Sequence, residues 1–325
     1  MRKLWIKSLA LVLGISLFTR CSDDSENNNG GSQEPTTISG IVERDARFSI
    51  LRSALERTGL DATLDSESEA TLFAPTNAAF SDLFAELQVA NLNELESNIG
   101  NEALKRILLY HVLNQAVASA DVNAGYIETF SLNTNGNYMM AYIATSGGLR
   151  INDRAGLEQA DIDATNGVVH ALNKVLLPAT LYDLIIANPN LSSLDAALQA
   201  SSGLVATLSG SSRYTLFAPD NQAFDNLIAD YPNVSTLNEL VAELGPTDLT
   251  NTLLYHALNG ETLAENLTTG PNTTALGTDV IIDADGLPIR LFDNSGLTSG
   301  PAIVTTTNVV ASNGVMHIMD AVLLP

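Results

Sequence analysis

Reactive and cross-linking side chains are scarce in this chain of 325 residues. It has one cysteine, Cys21, so no disulfide can close within it, and the folded part must hold together by burial and hydrogen bonding. Basic residues are few: 15 Lys and Arg stand against 37 Asp and Glu, a formal net charge of −22. That balance repels phosphate backbones and anionic lipid surfaces, which excludes nucleic acid as a partner. Enzyme signatures are missing too. There is no Gly-x-Ser-x-Gly elbow, no phosphate loop and no His-Glu-x-x-His pair. Asp283-Ala-Asp285-Gly286 starts like a calcium loop, but Leu287 and Asn294 stand where the loop needs an oxygen ligand and a glutamate. Asp161 and Asp163 are not repeated at the corresponding positions, Asn308 and Val310. Nothing in this pattern supports a metal, a cofactor or a reaction mechanism.

Long apolar runs are also lacking. The longest, from Leu9 to Phe18, is too short to span a bilayer comfortably. It follows Arg2, Lys3 and Lys7, and a basic start before a short apolar stretch reads as a secretory signal over residues 1–20. Cys21 comes next, where a lipid anchor would attach. Phe18-Thr19-Arg20-Cys21 departs from the usual lipidation box at Arg20, since a small residue is expected there. The competing reading is ordinary leader cleavage nearby and an unused thiol. Loss of the leader removes Arg2, Lys3, Lys7 and Arg20 and takes the net charge from −22 to −26. Residues 21–37 are polar and read as a flexible tether. Within it, Ser22-Asp23-Asp24 resembles the acidic surface-export signal of Bacteroidetes lipoproteins, or is simply part of a soluble linker.

What the chain has is repetition. Thr71-Leu-Phe-Ala-Pro-Thr-Asn-Ala-Ala-Phe80 recurs as Thr215-Leu-Phe-Ala-Pro-Asp-Asn-Gln-Ala-Phe224. Leu-Leu-Tyr-His at 108–111 recurs at 253–256, and Asn-Gly-Val-Val-His at 166–170 recurs as Asn-Gly-Val-Met-His at 313–317. The shifts between copies are 144, 145 and 147 residues, so one domain type is used twice. All four histidines of the chain, His111, His170, His256 and His317, lie in these motifs.

Each motif has a physical reading. Thr-Leu-Phe is a short strand halted by Ala-Pro, because proline lacks the amide a central strand needs. Thr76 and Asp220 then cap a helix with a side-chain oxygen. Phe80, Leu83, Phe84 and Leu87 form an apolar stripe along it, matched by Phe224, Leu227, Ile228 and Tyr231. Leu104, Ile107, Leu108 and His111 share one face of a second helix, as do Leu249, Thr252, Leu253 and His256, which turns both imidazoles inward beside Tyr110 and Tyr255. Asn166-Gly167 and Asn313-Gly314 mark turns, and the strands after them are apolar on both faces, which places His170 and His317 in the core.

These blocks resemble the fasciclin domain family over residues 38–325. The resemblance implies a compact α+β fold, each domain a helical layer on a β-sheet core, with a role in adhesion or extracellular binding and no shared enzymatic reaction. It links the Tyr-His block, here Tyr110, His111, Tyr255 and His256, to receptor recognition; the residue pattern itself favours a buried structural histidine. Domain one is expected over 38–178 and domain two over 179–325, joined by a very short linker so that the domains touch. Residues 126–151 match their counterparts poorly and are the expected place for surface loops carrying specific binding. The resulting expectation is a non-enzymatic, two-domain adhesion lipoprotein of the outer membrane, surface-exposed or else on the periplasmic face. Its partner would be an extracellular protein, matrix or glycan, and its only membrane contact would be the lipid. Alternatives are an accessory polysaccharide-binding protein and a periplasmic assembly factor.

Overall fold

The computed structural model describes residues 36–66, 69–293 and 300–325; the leader, Cys21 and the tether up to residue 35 lie outside them. The first half opens with three helices, α1 (Ile38–Arg44), α2 (Ser49–Thr58) and α3 (Asp61–Ser66). Strand β1 (Ala70–Pro75) follows, then α4 (Asn77–Glu86), α5 (Leu92–Ile99) and α6 (Asn101–Leu109). Six strands complete it: β2 (Val112–Leu113), β3 (Gly125–Leu132), β4 (Tyr138–Ala144), β5 (Arg150–Ile151), β6 (Ala155–Ala164) and β7 (Gly167–Leu172).

The second half repeats the series. Its helices are α7 (Leu181–Ala187), α8 (Ser192–Ala200), α9 (Leu204–Ser209), α10 (Asn221–Asp230) and α11 (Leu237–Tyr255). Its strands are β8 (Tyr214–Pro219), β9 (Ala257–Asn259), β10 (Gly270–Thr273), β11 (Asp279–Asp283), β12 (Arg290–Phe292), β13 (Ala302–Ala311) and β14 (Gly314–Met319). Helix α11 stands for α5 and α6 together. Gly100 (φ 81°) separates those two, and Gly245 (φ 73°) kinks α11 at the corresponding point.

Each half builds a seven-stranded sheet, in the orders β2-β1-β7-β6-β5-β4-β3 and β9-β8-β14-β13-β12-β11-β10. The two orders are the same. The fold is α+β, two tandem domains each with helices on a sheet. In both sheets the parallel pair, β1 with β7 and β8 with β14, lies inside the sheet and is covered on both faces; β14 is buried at every residue. The helix starts follow from local chemistry. Thr76 accepts the Ala79 amide and Asp220 accepts the Ala223 amide, each cap being worth about 0.5–2 kcal/mol. One member of the expected α4 stripe departs: Leu87 is the C-cap and is 43% exposed, because the helix ends before its side chain can turn inward.

The domains are in contact. One apolar cluster holds Phe73, Tyr110 and Met139 of the first together with Leu181, Leu184 and Val315 of the second. Among the described residues no helix is long and apolar enough to cross a membrane.

Candidate functional site

The repeated motifs converge on the parallel strand pair of each domain. His111 follows α6 and is fully buried. Its Nδ1 lies 2.7 Å from the Ile107 carbonyl, one turn back, and its Nε2 accepts the Leu176 amide at 2.8 Å. A carbonyl can only accept and an amide can only donate, so the ring is the neutral Nδ1–H tautomer. His256 repeats this with the Thr252 carbonyl at 2.7 Å and the Leu323 amide at 2.9 Å. Burial pushes both imidazoles down to about 4, against the weaker upward pull of the backbone carbonyl.

His170 and His317 carry the opposite tautomer. His170 Nε2 donates to the Val117 carbonyl at 2.9 Å, and Nδ1 accepts the Asp161 amide at 3.1 Å. His317 Nε2 donates to the Thr262 carbonyl at 3.1 Å, and Nδ1 accepts the Asn308 amide at 3.2 Å. Each ring lies over the phenylalanine opposite it in the parallel register: Phe73 at 5.5 Å and Phe217 at 5.6 Å between centroids. Asp161 and Asn308 share an unusual backbone, φ 55° and 58°, at irregularities in β6 and β13. That bulge aims each amide at a histidine, while the side-chain oxygens take the amides of Ser119 and Ala264. The non-repetition of Asp161 as a carboxylate is thereby explained, since an amide oxygen serves equally well.

Tyr110 and Tyr255 are fully buried with their hydroxyls donating to the carbonyls of Met140 (2.7 Å) and Asp279 (2.9 Å). Tyr110 also accepts from the Asn152 amide at 3.0 Å. Burial raises both phenols above their ordinary range. Asn166 and Asn313 tie each domain's first helix to its third: their Oδ1 atoms accept the amides of Ile38 (2.9 Å) and Leu181 (2.8 Å), and their Nδ2 atoms donate to the carbonyls of Leu64 (2.7 Å) and Leu208 (2.8 Å). Gly167 and Gly314 have φ near +150°, and a Cβ there would lie 1.9 Å from the Ala70 carbonyl oxygen and 2.1 Å from that of Tyr214. Glycine is required at both positions by close approach and by backbone angle.

These residues form two interior networks in which each imidazole nitrogen has one backbone partner. Among the described residues, no group of three or more His, Cys, Asp or Glu side chains is arranged to hold a metal ion. Cys21 lies outside the described residues.

The segment 126–151, expected as free surface loops, has another position. It forms the β3–β4 hairpin and packs on the second domain. Tyr126 donates to the Leu184 carbonyl at 3.1 Å and accepts from Asn188 at 3.1 Å. Glu261, with its side chain 0% exposed, accepts amide hydrogens from Asn133 (2.9 Å), Asn135 (3.1 Å) and Asn137 (2.6 Å) and pairs with Arg213. Nothing in the sequence signals that the Asn-Thr-Asn-Gly-Asn run at 133–137 meets an acceptor 124 to 128 residues away. Beside this contact, between β3–β4 and the start of α10, lies a cavity of about 670 Å³. In the second domain the register counterparts of the cross-strand pair Tyr126 and Tyr142 are Pro271 and Ile281, and they are exposed.

Comparison with known proteins matches a family model described as the fasciclin domain to residues 46–178 and again to 189–325. The chain is 32% identical over 232 residues to the transforming growth factor-beta-induced protein ig-h3 of Sus scrofa, covering 70% of this chain and 32% of that protein. It is 30% identical over 265 residues to periostin of Homo sapiens, covering 81% of this chain and 29% of that protein. The chain thus spans about a third of the length of these curated relatives. Among solved structures, a domain pair from the insect cell adhesion molecule Fasciclin I aligns with a TM-score of 0.52 and 19% identity, over 85% of this chain and 97% of that one, a likeness of fold.

Proposed function

Because this chain belongs to the fasciclin domain family, we propose that it is a non-enzymatic adhesion or extracellular binding protein, displayed on the outer membrane by a lipid on Cys21. The observation that carries the reading is the saturation of all four imidazoles. Each ring nitrogen meets a backbone group, and each ring is buried. Such groups have no free lone pair for base catalysis or metal binding, and a mechanism would need converging groups in reach of a substrate. The motif residues Tyr110, His111, Tyr255 and His256 therefore serve as interior struts, and recognition falls to the surface. Asn166, Gly167, His170, Asn313, Gly314 and His317 take the same structural role.

The proposed domain boundary at Pro178–Ala179 is supported by α7, whose first amide bonds Asn313 within the second domain. A clamped pair of domains presents one rigid surface. Binding then loses little interdomain freedom, and a repeated extracellular target would be met with avidity by many anchored copies.

The test is protease treatment of intact cells compared with lysed cells, with a cell-aggregation assay alongside. Digestion on intact cells and reduced aggregation in a deletion strain are the expected outcomes. Replacing Cys21→Ser should move the protein into soluble fractions. Protection until lysis would overturn surface display, and undiminished aggregation would overturn adhesion.

A further inference from the structure

The domain pair encloses a groove that neither domain has alone. Its volume, about 670 Å³, falls within the roughly 300–1,000 Å³ of small-ligand sites. One wall is Tyr126 and Tyr142, whose rings meet edge to face with centroids 5.0 Å apart at 73°. The opposite wall comes from the second domain: Asn190 after α7, Gln222 and Asp225 in the first turns of α10, and Thr306 on β13. All four are exposed, and among the described residues the side chains of Asn190, Asp225 and Thr306 make no hydrogen bond.

The chemistry of this lining narrows the ligand. No Lys or Arg lines the groove while Asp220 and Asp225 do, so a phosphate or sulfate would meet repulsion with no counter-charge. An apolar ligand would strip water from amides and carboxylates without replacing their hydrogen bonds. A simple cation would use the acceptors and leave the amide donor of Asn190 idle. A hydroxyl group both donates and accepts, as do amides and the threonine hydroxyl, while the carboxylate accepts. Tyr126, held edge to face by the buried Tyr142, adds a partly exposed apolar wall suited to the C–H face of a sugar ring.

We propose that this interdomain groove binds a short segment of a neutral oligosaccharide. Asp225, Asn190 and Thr306 hydrogen-bond its hydroxyls, and Tyr126, backed by the buried Tyr142, packs against a ring. The inference rests on the reading of the chain as an extracellular binding protein, and it supplies the ligand class and the place.

The experiment is calorimetric titration of the full chain in detergent with maltohexaose, cellohexaose, mannohexaose and xylohexaose. Spermine and a heparin hexasaccharide serve as charged probes. Saturable binding of at least one neutral sugar is expected. The double variant Asp225→Ala, Thr306→Ala should weaken it about tenfold or more, and Gln222→Trp should block it. The melting temperature of each variant should match the parent, since the positions are exposed. The inference is overturned if no neutral sugar binds at millimolar concentration, if only a charged probe binds, or if the variants bind as the parent does. Protease digestion on intact cells does not depend on the groove. A failed titration with surface display intact therefore sinks this inference and leaves the adhesion reading standing.

Discussion

The His111 imidazole accepts the backbone amide of Leu176, 65 residues away, at 2.8 Å, and thereby fastens the end of α6 to the segment leaving β7. His256 and Leu323 do the same in the second domain at 2.9 Å. Loss of the ring strands a buried amide and a buried carbonyl. His111→Ala and His256→Ala should each lower stability by about 2–5 kcal/mol, combining unsatisfied groups with a cavity. Thermal and denaturant unfolding would read this. A variant that kept full stability but lost binding would make the histidine a recognition residue.

The same rings set an acid limit. Both titrate near 4 in the folded protein, while an unfolded histidine takes its proton near the ordinary 6.5. Above pH 6.5 both states are neutral and the difference vanishes. Between about 6.5 and 4 the unfolded state binds more protons, so stability falls as pH falls, by about 1.4 kcal/mol per pH unit per histidine once the unfolded rings are charged. Urea unfolding at pH 7, 6, 5 and 4 should show this slope, and a His111→Gln, His256→Gln double variant should show a shallower one.

Gly167→Ala and Gly314→Ala should be far more damaging than an ordinary glycine change. The new methyl would sit about 2 Å from a strand carbonyl, at a φ that L residues rarely adopt. Poor soluble yield or a melting point many degrees lower is expected. Gly136→Ala, at φ 85° in a turn with nothing within 4 Å of its Cβ, should keep the fold with a modest loss. Equal stability for all three would contradict the close approach of β7 to β1 and of β14 to β8.

Glu261→Ala should uncouple the domains. Its removal leaves Arg213 without its carboxylate and the amides of Asn133, Asn135 and Asn137 without their shared acceptor, a loss of about 3–5 kcal/mol if the site stays dry. Calorimetry should resolve two unfolding transitions where the parent gives one, and small-angle scattering should report a broader particle. A single unchanged transition would show that the apolar contact alone holds the pair.

The duplication, the α+β class and the inward position of all four histidines were legible as sequence because they depend on local order. A cap, an apolar stripe and an Asn-Gly turn act within a few residues, and a second copy repeats them in register. Leu87 misled the stripe because helix ends are set by capping competition that periodicity does not report. Pairing across the molecule was a matter for tertiary structure. The tautomer of each ring depends on which backbone group arrives at each nitrogen, and those groups come from 9 to 67 residues away at all but the helix-turn contacts. Glu261 reads as one more acidic residue until the fold carries three asparagines of the first domain to it. Composition and spacing determined that there are two like domains and what fills them; folding decided which faces meet, since hydrogen bonds and burial act through space and the chain records only its own order.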